Sequence, residues 1–330
     1  MTRDADTPRN IRKNNVGETG IRVSSLGIGC ASMGQSIGAG TDRETGDAEA
    51  AKMLRRILDS EVNYVDAARL YQGGDCERRL GVALGTLTAE ERDSLVISTK
   101  GGREPTGQRG YDGDAIRRSV ERSLELLGLG YIPIYYIHDP YEVHEVEAVL
   151  APGGGVEVLE GLKAEGVIGA IGLGVRTHRY LRTAIESGRF DAIITPYDFG
   201  PIRDSAEDLI AEAASKGLGV MNASPYAAGL LAGIELQEAA RRRKVDKADL
   251  VRAQSIGTWC RARHLNSGVL AMQFSLLNTA LASTLVGPRS LDELEDNICH
   301  ATSDVASEIM TEFKEFLGTL PPAAPGGEAE

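Results

Sequence analysis

The sequence predicts a chain of the α/β class folded as a single-domain (β/α)8 TIM barrel. Three observations carry this. Short β-rich runs alternate with longer amphipathic segments over most of the chain, such runs number eight, and chemistry-bearing side chains stand where several of them end. In order, the runs are VSSLGIGC at 23–30, VNYVD at 62–66, LVISTK at 95–100, IPIYYIH at 132–138, VIGAIGL at 167–173, AIIT at 192–195, LGVMN at 218–222 and STLVG at 283–287. The intervening stretches read as helices. In AIRRSVERSLELLG, Ile116, Val120, Leu124 and Leu127 keep a three-to-four spacing while arginines and glutamates take the other face. Eight such units favour a closed barrel over an open doubly wound sheet, although periodicity by itself does not see closure. Residues 1–18 and 320–330 (ending PPAAPGGEAE) read as mobile tails, leaving 19–319 for the barrel.

Composition narrows the class of protein. A hydrophobic content of 42% with 25% charged residues is that of a soluble globular chain. No apolar run approaches the ~20 residues needed to span a bilayer, and the polar start MTRDADTPRN is unlike a secretory signal, so a cytoplasmic location is expected. The net charge of −12 disfavours nucleic acid and anionic membranes as partners. Cys30, Cys76, Cys260 and Cys299 lie far apart without a CxxC, which fits reduced thiols and no metal site.

In a barrel of this kind the active site lies at the C-terminal ends of the strands. Asp66, Lys100, His138 and Ser224 fall there, and Tyr71 follows Asp66 by five residues beside a Gly-Gly pair. If Asp66, Tyr71, Lys100 and His138 converge, their roles follow. Tyrosine is a natural proton donor to a carbonyl oxygen, but its ordinary pKa of about 10 is high for exchange near neutrality. A neighbouring ammonium lowers it, so Lys100 would tune Tyr71 while Asp66 holds Lys100, and His138 would orient the substrate oxygen. Help of this kind is worth ~10²- to 10⁴-fold and requires a hydride partner that these residues do not supply. Each residue alone has a blander reading, as a helix cap, a packed ring or a solvated charge; the combination is the signal.

With these segments in view, the chain from about Gly20 to Leu317 resembles the aldo-keto reductases. VDAARLYQGGDCERRLGVAL is similar to the family's Asp-x4-Tyr segment, ISTKGG and YYIHDP to its lysine and histidine strands, and AIGLGV, ASPYAAGLLAG and LVGPRSLDELEDNI follow in the family's order. The resemblance implies Asp66, Tyr71, Lys100 and His138 as catalytic residues. It also implies a nicotinamide cofactor, NAD or NADP, bound without a Rossmann domain. The expected cofactor contacts are Gly29, Cys30, Gly287 and Asn297, backbone amides near Ser224, Gly229 and Leu230, and the helix opening after Arg289 and Ser290. Glu293 stands where many NADP-using relatives carry glutamine or arginine, and Asp292 adds negative charge, so NAD is slightly favoured.

The chain departs from the common pattern at Gly174 and Val175, at Ile194 or Thr195, and at Ala223, where nicotinamide contacts are usual. These departures, with HDP after the histidine strand, resemble the subgroup of galactose, fucose and D-threo-aldose 1-dehydrogenases and the neighbouring pyridoxal dehydrogenase. The leading expectation is oxidation of a polar cyclic hemiacetal to a lactone with Tyr71 as base. Arg69, Asp139, Tyr141, Arg176 and Tyr197 are the candidate substrate contacts, with Asp198 a further polar candidate near the site. NADPH-dependent aldehyde or ketone reduction is the alternative, and a non-catalytic cofactor-binding subunit is an alternative of another class. Monomer and homo-oligomer are both compatible with the sequence. The loops after the first, fourth and seventh strands are expected to form the substrate pocket, with deletion of residues 321–330 harmless.

Overall fold

A computed structural model describes residues 11–35, 42–232 and 245–327. An antiparallel hairpin of β1 (Lys13–Asn15) and β2 (Arg22–Ser24) precedes eight parallel strands. These are β3 (Leu26–Gly29), β4 (Tyr64–Asp66), β5 (Val96–Gly101), β6 (Ile132–His138), β7 (Ile168–Gly174), β8 (Ala192–Pro196), β9 (Gly219–Ala223) and β10 (Ser283–Val286). They follow one another around a ring, and β10 pairs with both β9 and β3, which closes the barrel. All eight expected runs are strands.

The helices form where the apolar period says they should. Gly113–Leu127 buries Ile116, Val120 and Leu127, starts at Asp112, whose carboxylate accepts from the Ala115 N–H at 2.9 Å, and stops at left-handed Gly128. Burying each large aliphatic side chain is worth roughly 1.5–3 kcal/mol, and the cap about 1 kcal/mol. Inside the barrel, Tyr64, Ile134, Tyr136, Ala170, Met221 and Leu285 pack with Val16 and Val23, which the hairpin inserts from the end where the strands begin. Gly172 makes room for one of these rings: a Cβ there would lie 2.1 Å from Tyr136 Cδ1.

The expected tails need correcting. Residues 1–10 and 328–330 lie outside the described residues, but 11–18 carry β1 and the plug residue Val16. After the last helix, Ser307–Gly318, the chain is tied down by side chains far away in sequence: Arg252 Nη1 donates to Pro321 O at 2.6 Å and Arg203 Nη1 to Pro325 O at 3.2 Å. Proline-rich composition reads as mobile only because such long-range donors are invisible locally. Among the described residues no helix is long and apolar enough to cross a membrane, and no cluster of metal-ligating side chains occurs.

Candidate active site

The strand register delivers the four residues to one end of the barrel. Asp66 is the last residue of β4 and pairs with Ser98 of β5; Lys100 pairs with Tyr136; His138 ends β6 opposite Gly174. Tyr71 follows on the turn Tyr71–Gly74, where Gln72 and Gly73 are both left-handed. The Gln72 side-chain amide donates to Cys30 O at 2.8 Å and Met33 O at 3.0 Å, pinning this turn to the one after β3. Together these residues line a cavity of about 700 Å³ that runs past the ends of β3, β7, β8, β9 and β10.

Lys100 Nζ donates to Asp66 Oδ2 and, at 3.0 Å, to Ala67 O; both charged side chains are almost fully buried. The same ammonium lies 5.0 Å from the Tyr71 ring centroid, and the Tyr71 and His138 rings meet edge-to-face at 5.5 Å. Beneath them Ser98 Oγ donates to Asp66 Oδ1 at 2.6 Å, with the Tyr64 hydroxyl 3.1 Å from Ser98 Oγ. Ser98, Tyr64 and Tyr136 were not anticipated as part of the site. Each precedes a site residue by two on the same strand, so strand alternation places it on the same inward face and was the signal available.

The ionisation of Tyr71 differs from expectation. Burial, then the charges of Asp66 and Asp139, push its phenol well above the ordinary value. The Lys100 ammonium, held against the Asp66 carboxylate, does not outweigh these effects. The Tyr71 side chain is therefore a proton donor at neutral pH. His138 shifts the other way: burial lowers its pKa to about 4, against the raising effect of Asp139, whose Oδ2 is 3.5 Å from Nε2. The imidazole is thus neutral, and its buried Nδ1 has no hydrogen-bond partner among the described residues. A ring titration followed by NMR should show no protonation of His138 from pH 8 to 5; a midpoint near 6.5 would mean that the ring is hydrated. The linked stability has a definite sign. The unfolded histidine protonates near 6.5 and the folded one near 4, so the contribution is full above about 6.5 and is lost as pH falls toward 4.

The remaining expected residues divide. Gly29, Ser224, Gly229, Gly287, Arg289, Glu293 and Asn297 line the cavity, as do Asp139, Tyr141, Arg176 and Tyr197. Cys30, Leu230 and Ser290 do not. The Cys30 side chain is buried, and its thiol is raised by contact with Cys76 and by burial; Ser290 caps the helix Leu291–Thr302 by accepting from Glu293 N–H. Arg69 also turns away: Nη1 donates to the buried Glu77 at 3.1 Å and Nη2 to Glu104 at 2.7 Å, so it holds a salt-bridge network behind the strands and is corrected from the substrate set. The amides expected to meet phosphate are committed within the protein, with Ser224 N–H donating to Leu285 O, Gly229 N–H to Tyr226 O and Leu230 N–H to Ala227 O. Among the departures, Gly174, Val175, Ile194 and Ala223 face the cavity, while Thr195 is buried and outside it. Tyr226 and His300, joined at 2.9 Å, also line the cavity; they stand 74 residues apart, so no local pattern links them.

The strand ends at Gly29 and Gly287 leave open space in this cavity that suits a nicotinamide cofactor. A Cβ added to Gly29 or Gly287 would sit at ordinary contact distance, 3.5 and 3.7 Å, from protein atoms. Packing therefore does not demand glycine at these strand ends, and the bare backbone leaves room for a flat ring beside Tyr71.

Comparison with known proteins agrees with the site. The profile of the Aldo/keto reductase family matches residues 25–317. The chain is 30% identical over 322 residues to the D-threo-aldose 1-dehydrogenase of Pseudomonas sp., covering 90% of this chain and 94% of that protein. It is 29% identical over 300 residues to the L-galactose dehydrogenase of Arabidopsis thaliana, covering 87% of each, and 27% identical over 342 residues to the pyridoxal 4-dehydrogenase of Microbacterium luteolum, covering 92% and 96%. An aldo-keto reductase from Bacillus halodurans in its holo form shares the fold, with a TM-score of 0.73 at 22% identity over 93% of this chain and 96% of that one. A closed eight-stranded barrel, an aspartate, tyrosine, lysine and histidine gathered at its mouth, and a family profile spanning nearly all of it lead to one conclusion: this chain belongs to the aldo/keto reductase family and is an NAD(P)-dependent oxidoreductase.

Proposed function

We propose that the enzyme oxidises a neutral, hydroxylated cyclic hemiacetal to a lactone, the substrate being an aldose of the galactose or fucose kind or pyridoxal. The observation that carries this is the charge balance at the substrate end of the cavity. The cavity-lining Asp139 accepts from Arg103 behind it at 3.0 Å, and the cavity-lining Arg176 donates to the buried Asp198 at 3.2 Å, beside Tyr141 and Tyr197. Both cations are already paired with carboxylates, so the wall presents hydrogen-bonding groups with little net charge, which suits a polyol better than an anion or a greasy aldehyde. The names of the relatives point the same way.

When bound, the nicotinamide accepts or supplies the hydride. The protein's part is to bind and orient the substrate oxygen and to move its proton. The neutral His138 imidazole, which lines the cavity beside Tyr71, is the orienting group. The Tyr71 hydroxyl exchanges the proton. Because burial and the nearby carboxylates keep this phenol protonated, lactone formation draws on a minor phenolate and its rate rises with pH through the neutral range. The same observation favours a second reading, carbonyl reduction, which uses the phenol as acid. A screen of aldoses and pyridoxal with NAD and NADP, and of aldehydes with the reduced cofactors, tests both; turnover of simple aldehydes but of no aldose or pyridoxal would overturn the first reading.

NAD is the favoured cofactor. A ribose 2′-phosphate would need Arg289 and the N-terminus of the helix Leu291–Thr302, and carboxylates already occupy both. Glu293 holds the Arg289 guanidinium, with Nη2 to Oε1 at 2.5 Å and Nε to Oε1 at 3.0 Å, and accepts from Arg289 N–H at 2.8 Å; Glu49 accepts from Leu291 N–H at 3.0 Å. A phosphate would have to displace one acid and sit beside the other. Glu293→Gln should therefore move the ratio of kcat/KM toward NADP by about tenfold, and a wild type that prefers NADP by more than about tenfold, roughly 1.4 kcal/mol, would overturn the assignment.

A further inference from the structure

The segment after the last helix makes a run of specific contacts that end at a wall of the cavity. Arg252 Nη1 donates to Pro321 O at 2.6 Å, Ala324 N–H to Asp249 Oδ1 at 3.3 Å, and Arg203 Nη1 to Pro325 O at 3.2 Å. The run finishes at residue 327, where the Gly327 N–H donates to Asp198 Oδ2 at 2.8 Å and the His178 N–H donates back to Gly327 O at 3.0 Å.

Asp198 is fully buried, and it is also the carboxylate that accepts from Arg176 Nε at 3.4 Å and Nη2 at 3.2 Å. Burial pushes its pKa up, but the His178 ring 3.3 Å away and the hydrogen bonds from Arg176 and Gly327 outweigh that and hold the group ionised. Arg176 in turn lines the cavity, with its guanidinium carbon 5.9 Å from the Tyr197 ring centroid. The two glycines are required by the close approach. A Cβ on Gly326 would lie 2.0 Å from Ser205 Oγ and 2.9 Å from Asp198 Oδ1; Gly327 is left-handed, and a Cβ there would lie 2.6 Å from His178 Nδ1. A solvated tail needs no such fit.

We propose that residues 321–327 form a strap that locks Asp198, and through it Arg176, in place at the substrate end of the cavity, making Gly327 and Asp198 positioning residues for substrate specificity. The mechanism is charge-assisted geometry. The Gly327 amide fixes one carboxylate oxygen, the carboxylate fixes the guanidinium plane, and the guanidinium presents a set direction to a substrate hydroxyl. No strap residue lines the cavity itself, so the strap acts through Arg176, which does. This also reverses the expectation that deleting residues 321–330 is harmless.

The activity part of the test rests on the hemiacetal-oxidising reading; the structural part does not. Two variants are compared with the full chain, deletion of residues 321–330 and Gly326→Val, which keeps the segment but blocks its seat. Both should raise KM for the best aldose about tenfold, with kcat within about twofold and cofactor Kd, read by fluorescence quenching, unchanged. Amides of residues 175–179 should exchange hydrogen ~10-fold faster in both. An unchanged KM with unchanged exchange would overturn the proposal, and so would a parallel loss of KM, kcat and cofactor affinity, which marks general destabilisation. If the full chain turns over no aldose, the functional reading fails, and hydrogen exchange still decides the strap.

Discussion

Tyr71→Phe is expected to lower kcat by ~10²- to 10⁴-fold in either direction of the reaction, with cofactor affinity and folding nearly unchanged. The substitution removes one oxygen and keeps the ring, which stays edge-on to His138 at 5.5 Å and under the Lys100 ammonium at 5.0 Å. Neither neighbour can replace the phenol as proton donor: His138 is neutral with a pKa of about 4, and Lys100 is turned into its contact with Asp66. Steady-state kinetics with substrate in both directions, alongside a cofactor titration, is the measurement. A variant retaining more than about a tenth of wild-type kcat, against the larger loss expected for a general acid or base, would show that the proton travels by another group.

Lys100→Met should be the most destabilising single change at the site, by roughly 3–5 kcal/mol in urea unfolding, because it leaves the Asp66 carboxylate buried and unpaired. Asp66 is 4% exposed and Lys100 3%, so solvent screens the remaining charge poorly. The double variant Asp66→Asn with Lys100→Met removes both charges while leaving an amide oxygen at position 66 within reach of Ser98 Oγ, and it should recover most of that stability. Activity should not recover in parallel, since the arrangement around the Tyr71 phenol is lost in both. The two changes touch, so non-additivity is the signature. Stability costs that simply sum would mean the two charges are independently solvated and that the pair does not hold the site together.

How much of this was legible in the sequence follows from the range of each interaction. The eight strands could be read because apolar runs are local, and Asp66, Lys100 and His138 because strand ends in a closed parallel barrel share one face. Arg69 could not be placed. It follows Asp66 by three residues in the right loop, and only the packing of Glu77 and Glu104 turns its guanidinium behind the strands. The amides of Ser224, Gly229 and Leu230 have suitable neighbours in the sequence, but their turn and the β10 backbone already accept their protons.

The sequence by itself therefore determined the barrel, the family resemblance and the identity of the four residues at its mouth, because these rest on periodicity and on side-chain type at set offsets. Tertiary structure decided the protonation of Tyr71 and His138, since both shifts come first from burial. It also decided the seat of residues 321–327, whose last amide meets a carboxylate 129 residues away. A local pattern carries no information about which distant donor closes on which acceptor, and desolvation exists only once the walls around a group have assembled.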